Sequence, residues 1–148
     1  MSKYTVERAT EKDLFWILTE SVEFLSQVNP DYVNEEYLPT FVQNLMKAGV
    51  VLISKKDGIE RTGMIGGAIV SSPFNPNIHI LTEIAWWVPE HYRKTRSGYL
   101  LLQEFINYGK ENNVYSIVLS SLTNTPVSDE TFEKRGFILK EKAYEMRL

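Results

Sequence analysis

The stretch from Glu83 to Leu101 constrains this chain more than any other part of it. It reads E-I-A-W-W-V-P-E-H-Y-R-K-T-R-S-G-Y-L-L. A β-rich run that starts at Ile78 stops at Val88, and Pro89 opens a polar turn. From Ser97 to about Asn112 the pattern is helical, with Leu101, Leu102, Phe105 and Tyr108 on one side. The first N–H groups of a helix have no partners within it and lie at the positive end of its dipole. A strand, a short turn and a helix start therefore make a cradle for an anion such as a pyrophosphate. Arg93, Lys94 and Arg96 add positive charge there, in a chain of net charge −3. Gly98 allows a ligand close to the backbone. A plain β–α loop with solvated basic residues fits the same letters, and this segment alone does not choose between the two. It is neither a Walker loop nor a dinucleotide-binding GxGxxG.

The flanking sequence places this joint late in a mixed α/β domain. Tyr4–Ala9 alternates as a strand. Thr10-Glu11-Lys12-Asp13 has the form of a capping box, and the spacing of Leu14, Ile17, Leu18, Val22 and Leu25 predicts a helix from Glu11 to about Gln27. A second helix is expected over about Glu35–Ala48, with Pro39 near its start and Gly49 past its end. Strands follow at Val50–Lys55, Met64–Ser71 and Ile78–Val88. After the Ser97 helix come a short strand at Tyr115–Ser121, a helix at Ser128–Arg135 and a last strand at Phe137–Leu148. The order β-α-α-β-β-β-α-β-α-β implies a mixed, mostly antiparallel sheet of about six strands with about four helices. Its one β-α-β crossover should be right-handed. Residues 1–148 read as a single domain.

Composition narrows the chemistry. The chain has no cysteine and only His79 and His91, which excludes disulfides, a thiolate zinc site, a cysteine nucleophile and a histidine-rich metal site. No metal is expected. The net charge and the absence of a long basic run disfavour general nucleic-acid binding. Met1–Glu11 is too polar for a signal peptide, and no apolar run approaches the roughly 18 residues of a membrane span. The expectation is a cytoplasmic protein, not associated with a membrane.

Two motifs carry a family resemblance. Arg93-Lys94-Thr95-Arg96-Ser97-Gly98 resembles the Gln/Arg-x-x-Gly-x-Gly/Ala turn of the GNAT acetyltransferases, matching at Arg93 and Gly98 and departing at Arg96, where the family usually has glycine. Phe132-Glu133-Lys134-Arg135-Gly136-Phe137 is similar to the family's Tyr-Glu-Lys-x-Gly-Phe run. The element order agrees with that fold over the whole chain, in the manner of a compact bacterial or phage-encoded member.

The resemblance implies acetyl-CoA as co-substrate and an amine acceptor. It implies a sheet splayed where the fourth and fifth strands run parallel. Trp86, Trp87 and Val88 would hold the pantetheine arm through backbone groups, and the amides of Arg93, Lys94, Thr95, Arg96, Ser97 and Gly98 would wrap the pyrophosphate. Asn124 would contact the arm; Asn-Thr-Pro is equally a plain turn. Glu83 is the implied general base, with His79 as alternative base or relay. Without a bulge, His79, Leu81, Glu83, Ala85 and Trp87 would share one face of the strand. Glycine at position 96 in the family raises the question whether Arg96 must adopt φ > 0. Phe132 stands where the family's tyrosine protonates the leaving thiolate, which leaves Ser128, Tyr99 or Tyr144 as other hydroxyls. It also leaves open a binding module that keeps the coenzyme pocket without transfer. A single terminal strand would expose a sheet edge, and a homodimer is one way to cover it.

Overall fold

Alternation in the strands and a 3.6-residue period in the helices set the layers. The computed structural model describes residues 1–122 and 127–148. Its strands are β1 (Tyr4–Arg8), β2 (Val50–Lys56), β3 (Glu60–Ser71), β4 (His79–Trp87) and β5 (Ser116–Val118). Its helices are α1 (Leu14–Val28), α2 (Leu38–Ala48), α3 (Ser97–Glu111) and α4 (Asp129–Lys134). The strands lie in the order β1-β2-β3-β4-β5, antiparallel from β1 to β4 and parallel between β4 and β5. Ile17 of α1 and Leu38 and Val42 of α2 pack with Val51, Ile53, Met64 and Trp87 on one face. Leu101 and Phe105 of α3 pack with Val50, Leu52, Ile65 and Leu81 on the other. Consecutive β2 residues thus feed opposite cores, as a strand buried on both faces requires. Among the described residues, no helix is long and apolar enough to cross a membrane.

The entry to α1 follows its predicted capping box. The Thr10 N–H donates to Asp13 Oδ2 at 2.8 Å, but Glu11–Asp13 forms a 3-10 turn and the α-helix proper begins at Leu14. Asp13 is 1% exposed and accepts from Arg61 Nε at 2.8 Å, with Lys55 Nζ at 3.5 Å, so it ties the helix start to β2 and β3. Burial pushes its pKa up, but the Thr10 N–H and the Arg61 and Lys55 charges outweigh it and hold it below the usual carboxylate value. The start of α2 at Leu38, not Glu35, is set by Pro39, which is confined to the first helical turn.

Two expectations about strands are corrected. β4 carries one extra residue opposite β3. Gly67 pairs with Glu83 and Gly66 with Ala85, so Ile84 bulges and the alternation reverses there. Leu81 accordingly belongs to the α3 core and Trp87 to the α1–α2 core, and the run from His79 to Trp87 does not share one face. The second correction is the last strand. Phe137–Leu148 forms no strand; the chain turns at Gly136 (φ 91°) and runs on as open coil. Ile138 is 86% and Tyr144 91% exposed. Alternation makes a strand only where a neighbour takes its backbone groups. β5 therefore borders the sheet, which has five strands, not six.

Two substitutions test these joints. A Cβ at Gly67 would stand 2.5 Å from the Thr82 carbonyl oxygen and 2.7 Å from the Phe105 ring. Gly67→Ala is expected to cost about 2–3 kcal/mol in urea unfolding, as other overpacked cores do. Asp13→Asn should cost about 3 kcal/mol at neutral pH by leaving Arg61 and Lys55 without their buried partner. A carboxyl whose folded pKa is depressed contributes above its unfolded value of about 3.9 and loses that contribution as pH falls through the folded pKa. The difference between wild type and Asp13→Asn should therefore shrink in acid, read as Tm against pH.

Candidate active site

The sheet opens where β5 leaves β4. Their pairing covers Ile80–Ser116, Leu81–Ile117 and Thr82–Val118 and then ends. From Glu83 to Trp87, β4 pairs with β3 on one side, and none of the described residues pairs with it as a strand on the other. The Glu83 carboxylate sits at the head of this gap, where its Oε1 accepts the Ser120 N–H at 3.1 Å. Burial raises the Glu83 pKa to about 7, with the Ser120 bond pulling the other way.

Beyond Val88 the chain makes a 3-10 turn at Glu90–Tyr92 and enters α3 at Ser97. Arg93 closes the turn. Its Nε donates to the Val88 carbonyl at 2.8 Å, and its guanidinium lies 5.0 Å from the centre of the Trp87 ring. Arg96 has φ −79° and ψ −3°, ordinary right-handed backbone. The question raised by arginine at a glycine position is thereby answered, since this turn does not need φ > 0. None of the described residues accepts from the N–H groups of Lys94, Arg96, Gly98 or Tyr99. A Cβ at Gly98 would meet only Val88 Cγ2 at 3.7 Å and Trp86 Cζ2 at 3.9 Å, ordinary contacts. The fold itself does not require glycine there.

Between the end of β4, the start of α3 and α4 lies a cleft of about 860 Å³. Trp86, Trp87, Val88, Arg93, Thr95, Gly98 and Tyr99 line it, with Phe24 of α1 at one end and Thr131, Lys134 and Arg135 at the other. Among the described residues, three cations line this space and no carboxylate does. The buried Trp86 Nε1 has no partner among the described residues, so a donor waits for an acceptor. Arg135 is held by Gln103 (Nη2 to Oε1, 2.6 Å) and lies 4.7 Å from the centre of the Tyr99 ring. Neither Lys134 nor Arg135 was foreseen as a site residue. Their signal was the basic pair inside the Phe132–Phe137 motif, which gave no hint that α4 packs back over α3.

Most of the expected binding residues meet at this cleft. Ser97 is fully buried behind the turn. Lys94 is exposed beside it, and Arg96 lies over the other side of the same aromatic neighbourhood, 5.8 Å from the Tyr99 ring centre. Phe132 stands behind the lining with its ring 6.5 Å from that of Trp86. Asn124 lies outside the described residues. Glu83 is on the same strand as Trp86 but does not line the cleft. His79 is exposed at the opposite end of β4, about 13 Å along the strand from Glu83 at ~3.3 Å per residue. The geometry therefore separates the two expected catalytic groups. No three described His, Cys, Asp or Glu side chains group to hold a metal.

Among the described residues, a five-stranded mixed sheet that opens at its parallel pair, with a turn into a helix after the fourth strand, is the GNAT fold. Solved structures align over nearly the whole chain. A predicted acetyltransferase from Clostridium acetobutylicum, solved with acetyl-CoA, is 16% identical, with 99% of this chain and 96% of that chain covered at a TM-score of 0.75. AAC(6')-Iy, in complex with the bisubstrate analogue CoA-S-monomethyl-acetylneamine, is 12% identical over 99% and 98% at a TM-score of 0.77. A transcriptional regulator from Bacillus halodurans C-125 is 18% identical over 99% and 100% at a TM-score of 0.78. No protein-family model and no curated protein sequence matches the chain.

Gly98 separates the needs of the fold from those of a ligand. Gly98→Ala should leave Tm within about 1 °C, because its Cβ makes only ordinary contacts. On the coenzyme-binding reading proposed below, the same methyl should weaken coenzyme A binding by about tenfold or more, measured by calorimetry, as backbone approach is blocked.

Proposed function

We propose that residues 1–148 act as one acyltransferase domain that moves an acetyl group from acetyl-CoA to a primary amine. The observation that carries this reading is the pairing of a free β4 edge, from Glu83 to Trp87, with unpartnered N–H groups at the start of α3. One is suited to an arm that carries amides, the other to linked phosphates. Bound acetyl-CoA supplies a thioester-activated acetyl group. The backbone of Trp86, Trp87 and Val88 holds the pantetheine amides as an added strand would. The turn from Arg93 to Gly98 binds the pyrophosphate, and Lys94, Arg96, Lys134 and Arg135 are the cations available to the remaining phosphate. Phe24, Trp86 and Trp87 restrict water at the inner end of the cleft.

Glu83 accepts the proton that the acceptor ammonium must lose before its nitrogen can attack, directly or through water. A pKa near 7 lets the carboxylate take that proton at neutral pH. His79 stands too far along β4 to relay it. Of the hydroxyls considered for the leaving thiolate, Tyr99 lines the cleft and Ser128 caps α4, which favours Tyr99. The thiol's ordinary pKa of about 8.5 also allows departure without an acid. The carboxylates Asp31, Glu35 and Glu36, between α1 and α2, favour a cationic acceptor. A homodimer over the open β5 edge is part of the same reading.

Phe132 favours a second reading, a module that binds coenzyme A and a partner without transfer. Calorimetry with coenzyme A and acetyl-CoA, followed by thiol release with a panel of amines, separates them. Binding with release supports transfer, binding without release supports the module, and no binding by folded protein removes both. In the transferase, Glu83→Gln should lower kcat by about 10²-fold and abolish the fall in kcat/KM as pH drops below about 7. The same change should raise Tm at pH 8. A folded pKa above the usual 4.5 means that ionising Glu83 destabilises the fold progressively from pH 4.5 to 7 and in full above it.

A further inference from the structure

Behind the phosphate-facing turn runs a file of hydroxyls through the dry core. The Ser97 hydroxyl, on the first residue of α3, donates to Thr62 Oγ1 on β3 at 2.8 Å, and the Thr62 hydroxyl donates to Ser54 Oγ on β2 at 2.9 Å. All three residues are 0% exposed. On the cleft side, Thr95 Oγ1 lies 3.0 Å from Ser97 Oγ, accepts the Ser97 N–H at 3.3 Å and donates to the Tyr92 carbonyl at 2.6 Å. One hydrogen-bonded path therefore joins the middle of the sheet to the turn. Its surroundings are apolar: Leu101 and Val88 crowd the neighbouring Gly63, where a Cβ would stand 2.9 Å from Leu101 and 3.1 Å from Val88. Alanine or valine would fill such positions without the cost of burying a hydroxyl.

Apolar packing tolerates sliding; a hydrogen bond fixes a distance and a direction. We infer that Ser97, Thr62 and Ser54 are positioning residues that fix the start of α3 against β3, and so set where its free N–H groups and the Thr95 wall meet the phosphates of the co-substrate. This rests on the coenzyme-binding reading above and adds to it the part of the core on which affinity depends. The hydroxyls touch no ligand. They act through the backbone of the turn, where a displacement of about 1 Å is enough to weaken an aligned contact strongly.

The test uses the full chain and coenzyme A itself. Wild type, Thr62→Val, Thr62→Ser and Ser97→Ala are compared by calorimetry, acetyl-transfer kinetics and thermal unfolding. Thr62→Val and Ser97→Ala should raise Kd for coenzyme A and KM for acetyl-CoA about tenfold, with kcat within about twofold of wild type. Thr62→Ser, which keeps the hydroxyl and loses a methyl, should keep wild-type Kd although its Tm falls. If Thr62→Val does not fold, Ser97→Ala against Thr62→Ser decides. Unchanged Kd in Ser97→Ala, or equal loss of affinity in Thr62→Ser, overturns the positioning role while the binding reading stands. No heat with folded wild type overturns both.

Discussion

One extra residue in β4 lets a single strand serve two layers. Before Ile84, Leu81 packs under α3; after it, Trp86 turns to that side and Trp87 to the opposite one. Without the bulge, Trp87 would lie against α3, and the Phe24–Trp87 ring contact at 5.6 Å, which joins α1 to the end of β4, would be lost. The glycines opposite make the bulge possible. Gly67 has no room for a side chain beside Phe105, and Gly66 comes within reach of Leu45 and Val51. The local increase in twist that accompanies a bulge also suits the parting of β4 from β5, which begins within two residues of it.

That parting sets the chemistry. A sheet edge in the middle of a fold is normally paired or covered. Here the edge from Glu83 to Trp87 faces a cleft, and the carboxylate of Glu83 occupies the point where the strands separate. It takes the Ser120 N–H that a continued ladder would have used differently. The turn into α3 follows directly after the end of β4. The buried hydroxyl file ties the start of that helix to β3 and β2.

Much of this was legible in the letters. The letters located the four α-helices and five strands of the described residues to within a few residues, because α1, α2 and α3 each bury one stripe, Gly136 ends α4, and the apolar runs of β2 and β3 lie between turn residues. The turn at Arg93–Gly98 was legible because its constituents are local: a strand end, basic residues, a glycine, a helix start. Four features were not. The Ile84 bulge depends on glycines in another strand. The cleft wall formed by Lys134 and Arg135 depends on how α4 returns over α3, a contact made across about thirty residues of chain. The terminal segment has the composition of a strand, but alternation reports a suitable surface and does not supply a partner. The hydroxyl file has no period at all, since Ser54, Thr62 and Ser97 meet only after three elements have packed.

The separation of charges in the site follows from the same geometry. Arg93, Lys134 and Arg135 line the cleft, while Glu83 stands outside that lining, near the backbone of Ser120. A carboxylate among three guanidinium and ammonium groups would have its pKa drawn down. Set apart and partly buried, Glu83 is pushed up to about 7. Trp86 lines the cleft with its ring 6.5 Å from that of Phe132, and its buried N–H has no partner among the described residues.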